Sequence, residues 1–124
     1  SDSIKLMLEK QFADLPAEDR KKLPAFTSFY EATPTDDCPN GTRGRMAVFE
    51  ILKMDKDIEQ VVLKDAVEEH VYAAARAKGM LTMREDAIIK ALEGEIPFSE
   101  VNTLGGVFLA DEGEEDEEKS APAP

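Results

Sequence analysis

Tryptophan is missing from this 124-residue chain, and cysteine and histidine occur once each. With one thiol no internal disulfide can form, which fits a reducing, cytoplasmic setting. A structural zinc site needs about four ligands, usually paired cysteines or histidines. Cys38 and His70 stand far apart in the sequence, so no metal site is expected from this chain alone. Long apolar runs are also missing. No window approaches ~18 consecutive apolar residues, so no membrane-spanning helix is expected. The opening Ser1-Asp2-Ser3-Ile4-Lys5 lacks the basic and apolar regions of a secretory signal. It lacks a starting Met too, and Ser1 is expected to be a cut point within a longer protein. No Gly-x-x-x-x-Gly-Lys-Ser/Thr loop occurs: Gly41 and Gly44 flank Thr42-Arg43 with the wrong spacing and no lysine. Backbone amides therefore do not converge on a phosphate, and nucleotide hydrolysis by this chain alone is not expected.

Positive charge is scarce: 15 Lys and Arg stand against 27 Asp and Glu, a net charge of −12. Half of that excess falls in residues 111–124, with seven acidic residues and the single Lys119. Such a field repels phosphate backbones and anionic headgroups, so no nucleic-acid partner is expected. The acidic, Ala/Pro-ended tail buries too little to offset its ordering entropy and is read as disordered.

What is present is mostly helical periodicity. Ile4, Met7, Leu8, Phe12 and Leu15 share one face of a helix predicted over 3–15, with Ser3 as N-cap and Pro16 as stop. Residues 17–23 form a short helix before Pro24. Phe26, Thr27, Phe29 and Tyr30, then Arg45 to Leu52, have strand character and read as a short β-hairpin. Both faces of the second strand are apolar, and it needs a covering layer or further strands. Asp55 caps a short helix carrying Ile58, Val61 and Val62. Asp65 and Glu68 have capping-box spacing, opening a helix to Lys78 that Gly79 ends. Thr82 and Glu85 form a second box, opening a helix through Glu93 that Gly94 closes. A last short helix covers Phe98 to Thr103, and Gly105 to Ala110 is apolar but short.

Few residues invite chemistry. His70 sits on an amphipathic helix with no nucleophile in the pattern, and reads as a structural histidine. Arg43 and Arg45 lie near a tight turn and could meet a carboxylate or phosphate from another domain or subunit. The helices at 66–78 and 83–93 outline a helix-turn-helix. However, Arg84 and Lys90 are outnumbered by Glu85, Asp86 and Glu93, where a DNA reader displays a basic second helix.

Two stretches carry a family resemblance. Gly44-Arg45-Met46-Ala47-Val48-Phe49-Glu50-Ile51-Leu52 resembles the Gly-Arg-x-x-x-x-Glu-Leu-Leu strand of the type II secretion and type IV pilus assembly ATPases. Gly79-Met80-Leu81-Thr82-Met83-Arg84-Glu85-Asp86 resembles their Gly-Met-x-Thr-Leu/Met-x-x-Asp segment. The ending Leu92-Glu93-Gly94, with Phe98-Ser99-Glu100-Val101 after it, also fits; the likeness covers about 26–104. The resemblance implies a hexameric, ATP-driven motor on the cytoplasmic face of the inner membrane, acting on a membrane platform protein. ATP and Mg would then be held by a RecA-like core whose motifs do not occur here. Many relatives carry a four-cysteine zinc element before the Gly-Arg strand, of which only Cys38 has a counterpart.

The expectation is thus a mainly α chain with a short β-hairpin. Residues 1–25 form an N-terminal helical segment, 26–110 a hairpin plus helical bundle, and 111–124 the tail. The bundle would pack on a RecA-like core of the same or a neighbouring subunit in a homo-oligomer. Arg45 and Glu50 would anchor the strand, and Thr82 and Asp86 would define the turn and helix start. A freestanding acidic adaptor without motor activity is the alternative. An acidic helix-turn-helix regulator comes third.

Overall fold

Side-chain caps fix where two of the helices begin. In the computed structural model, which describes residues 2–104, Thr82 accepts a hydrogen bond from the Glu85 amide (3.2 Å). Glu85 in turn accepts from the Thr82 amide (3.0 Å), and this reciprocal box opens α5, Met83–Leu92. Asp55 accepts from the amides of Asp57 and Ile58 and opens α3, Lys56–Lys64. The other helices are α1, Asp2–Gln11; α2, Ala17–Arg20; and α4, Glu68–Arg76, followed by a 3₁₀ helix over Phe98–Thr103.

Glycine sets two of the stops. Gly79 lies at φ +90° and Gly94 at φ +79°, a region that costs L-residues steric strain. After α4, Met80 N–H reaches Ala75 O and Gly79 N–H reaches Arg76 O. After α5, Glu95 and Gly94 repeat the pattern on Lys90 and Ala91. Both are Schellman closures.

α5 is the centre of the molecule. Arg84, Glu85, Ala87, Ile88, Ala91 and Leu92 are all buried, an apolar stripe with two charged residues at its start. Leu8, Phe12 and Leu15 from the N-terminal segment and Val101 from the 3₁₀ helix share this core. A buried Leu, Ile or Phe contributes about 1.5–3 kcal/mol. Ile58 of α3 is fully buried too, and α3 packs on α4, whose Ala75 is buried. Lys78 clamps this pair by bonding Asp55 and, at 2.6 Å, Asp57.

Several expectations are corrected. The hairpin is not formed: among the described residues the only β-bridge is the isolated pair Thr35 and Cys38. The aromatic residues of its first arm are used elsewhere. Phe26 stacks on Phe12 (5.9 Å between centroids) and Phe29 meets Phe98 edge-on (4.8 Å). Tyr30 O accepts from Phe98 N–H, so this arm lids the helical core. Asp65 does not cap α4. Val67 stands at the N-cap, and the Asp65 carboxylate meets His70 Nδ1 instead (2.8 Å). Ser3 lies inside α1, which ends at Gln11 rather than Leu15. The tail at 111–124 and the apolar 105–110 lie outside the described residues.

Candidate functional site

Residues 45–54 form neither helix nor strand, yet α5 holds them firmly. Lys90 Nζ donates to Ala47 O (2.6 Å). Phe49 N–H donates to Asp86 Oδ2 (2.9 Å). Met83 N–H donates to Glu50 Oε2 (2.9 Å). The three contacts run antiparallel to the helix. Three residues, 47 to 50, keep pace with seven helical ones, 90 to 83, about 10 Å in each case. An extended course of the backbone fits these three anchors.

Each anchor has a physical reason. Met83 occupies the first turn of α5, where amides lack intrahelical acceptors and the helix dipole favours a carboxylate. Glu50 supplies one. Asp86 accepts the Phe49 amide and pairs with Lys90 (2.7 Å). The Lys90 ammonium lies 5.2 Å from the Phe49 ring centroid. The segment is thereby fixed on one side only. Phe49 and Ile51 remain 59% and 70% exposed, and Met46, Leu52 and Met54 are exposed as well. Its backbone enters no ladder among the described residues.

The other candidate residues fall around this segment. Arg43 bonds the carbonyl of Asp37, while Arg45 is exposed and makes no hydrogen bond or ion pair among the described residues. Together they line an open cleft with Met46 and Val48. Cys38 is half-buried in the preceding loop, its Sγ 3.3 Å from Thr42 O. Among the described residues no three His, Cys, Asp or Glu gather to hold a metal ion. Nor is any described helix long and apolar enough to cross a membrane.

Behind the segment stands a buried ion pair that the sequence pattern did not signal. Arg76 is 2% exposed and Glu85 0%. Their forks meet twice, Nη1–Oε1 and Nη2–Oε2, both at 2.7 Å. Arg76 also bonds Asp14 (2.9 Å), Gln11 O and Met80 O, and Gln11 Nε2 donates to Glu85. Burial works against the Arg76 charge, but the hydrogen bonds and charge of Glu85, then Asp14, outweigh it and raise the guanidinium pKa. The group ties the α1 end, the α4 end and the α5 start together. An arginine in the last turn of a helix ordinarily reads as a partner of the helix dipole. Only the spatial return of Glu85 gives Arg76 its role.

The sequence matches, over residues 2–103, the family described as type II/IV secretion system protein. The chain belongs to that family. It is 36% identical over 72 residues to type II secretion system protein E of Xanthomonas campestris pv. campestris, covering 58% of this chain and 13% of that protein. It is 26% identical over 75 residues to the type IV pilus assembly ATPase PilB of Pseudomonas aeruginosa, 60% and 13% of the two chains. Against PilB of Thermus thermophilus it is 38% identical over 61 residues, 49% and 7%. The chain thus spans only a small part of these relatives' length. No solved structure matches it.

Proposed function

We propose that this chain is the non-catalytic C-terminal portion of an ATP-driven motor for type II secretion or for type IV pilus assembly or retraction. One observation carries the reading. Residues 45–52 are anchored to α5 through Ala47, Phe49 and Glu50, join no β-ladder among the described residues, and leave the side chains of Phe49 and Ile51 exposed. An unpaired apolar strand is an aggregation hazard that folded proteins cover. A sheet edge of a RecA-like core, in the same or a neighbouring subunit, would pair the backbone and cover that face. ATP and Mg would sit in that core. The helical bundle would carry its movement on nucleotide binding to neighbouring subunits and to an inner-membrane platform protein. The expected setting is a cytoplasmic hexamer peripheral to that membrane.

A freestanding adaptor remains the second reading, favoured by the core that Leu8, Phe12 and Leu15 close against α5 without outside help. The apparent mass of the native gene product separates the two. An antibody against residues 1–110, used on source-cell lysate, detects a band far heavier than 13.7 kDa if the motor reading holds. A band at the fragment's own mass refutes it. In the intact gene product, Ile51→Asp then lowers ATPase activity and subunit assembly together. Unchanged activity and assembly would remove the strand from the docking surface.

A further inference from the structure

Alternate residues of the extended segment line two different cavities. Ile51 and Lys53 line one of about 190 Å³, which Lys78 also lines. Glu50 and Leu52 line the second, of about 270 Å³. A period of two is that of an extended chain. Ala75 and Met80 belong to both cavities, so both open where the segment meets the end of α4.

The two cavities differ in charge. The smaller mixes Lys53 and Lys78 with Asp55. The larger is lined by the carboxylates of Glu50 and Glu68 and by no Lys, Arg or His. Glu50 accepts the Met83 amide through Oε2, and its Oε1 has no hydrogen-bond partner among the described residues. Glu68 is exposed and makes no hydrogen bond or ion pair among the described residues. Arg76, one turn beyond Tyr72, is already committed to Glu85 and Asp14. The rest of the lining is Leu52, Val71, Ala75 and Met80, with Tyr72. Small-molecule sites commonly begin near ~300 Å³, so this volume suits a single side chain better than a whole cofactor.

We propose that this cavity receives an arginine side chain carried by an extended segment of a partner protein. The hydrocarbon stem of an arginine packs on apolar surface such as Leu52, Val71, Ala75 and Met80 offer, while its head stays near water. A guanidinium stacks on an aromatic face and binds carboxylates through parallel N–H donors, which Tyr72, Glu50 and Glu68 answer. Lysine brings a point charge without the planar fork, and an acidic side chain is repelled. The carrier is extended because Glu50 and Leu52 belong to a stretch that joins no β-ladder among the described residues. A strand laid beside that stretch gains main-chain hydrogen bonds and sends alternate side chains to one face. The inference holds whichever protein carries the arginine, and it goes beyond the motor reading.

The full 124-residue chain, isotope-labelled for NMR, is titrated with the capped pentapeptide Thr-Val-Arg-Val-Thr. The signals of Val71, Tyr72, Ala75 and Met80 shift as the peptide is added. Citrulline in place of the arginine keeps the shape without the charge and weakens binding about fivefold or more. Glu68→Gln weakens binding of the arginine peptide about two- to fivefold and leaves binding of the citrulline peptide unchanged. The signals of α5 stay in place in that variant, which shows that it folds. Equal binding of the two peptides overturns the proposal, as does the absence of any shift at about 5 mM peptide. Cavity signals that move with chain concentration before peptide is added overturn it as well, since they assign the cavity to a second copy. None of these results bears on the lysate mass, so failure here leaves the motor reading standing.

Discussion

Replacing Arg76 with Met removes the cation from a site where Glu85 is fully buried and leaves the side chain's volume nearly intact. The loss is therefore electrostatic rather than a cavity. Glu85 keeps donors from Gln11 and from the Thr82 amide but loses both arms of the guanidinium fork. Removing one partner of a buried pair typically costs about 3–5 kcal/mol, because the other charge remains desolvated. A domain of this size has a total stability of about 5–15 kcal/mol. At about 4–8 °C per kcal/mol, Arg76→Met lowers Tm by at least about 12 °C. Thermal unfolding followed by far-UV circular dichroism measures it. The double variant Arg76→Met with Glu85→Met recovers much of the loss, since an apolar pair removes the stranded charge. A single-variant drop of only a degree or two would refute the reasoning, and would mean that water enters the site and solvates Glu85.

Two further outcomes rest on caps. Thr82→Ala breaks the box that opens α5 and costs about 1 kcal/mol by denaturant unfolding, while Thr82→Ser costs less. Asp55 has its pKa lowered, first by the Lys78 hydrogen bond and then by the Ile58 amide. A depressed folded pKa stabilises above the ordinary value of 3.8 and ceases to as pH falls through the lower folded value. Lys78 is raised above 10.5 by Asp55 and Asp57, so its contribution is present below that pH and fades as pH climbs through the folded value. Asp55→Asn keeps the cap but flattens the acid limb, read as the pH dependence of Tm between about pH 2 and 5.

The helix boundaries were legible because caps act over three or four residues. Asp55, Thr82 with Glu85, Gly79 and Gly94 all stand where their chemistry requires. Asp65 failed as a cap because it had a competing partner in His70, five residues away and facing it. The hairpin failed for a longer-range reason. Phe26 and Phe29 have strand propensity, but aromatic partners at Phe12 and Phe98 claim them, and β propensity mostly measures such packing. Glu50 and Asp86 stood out through resemblance, whereas their common attachment through α5 needed coordinates. Arg76 left no trace in any pattern of spacing.

α5 carries two attachments of unequal strength on neighbouring residues. Glu85 holds the buried pair to Arg76, and Asp86, one position on, holds the backbone of the extended segment. The first lies wholly out of solvent, where stranding a charge is costly. The second consists of hydrogen bonds through Glu50, Asp86 and Lys90 that are largely open to water, where competition leaves each worth about 0.5–3 kcal/mol. Water can thus compete for the segment's bonds to α5, whereas the bonds of the Arg76–Glu85 pair are shielded from it. Under the proposed docking, that contrast would let the bundle keep its own shape while residues 45–52 adjust to a partner sheet.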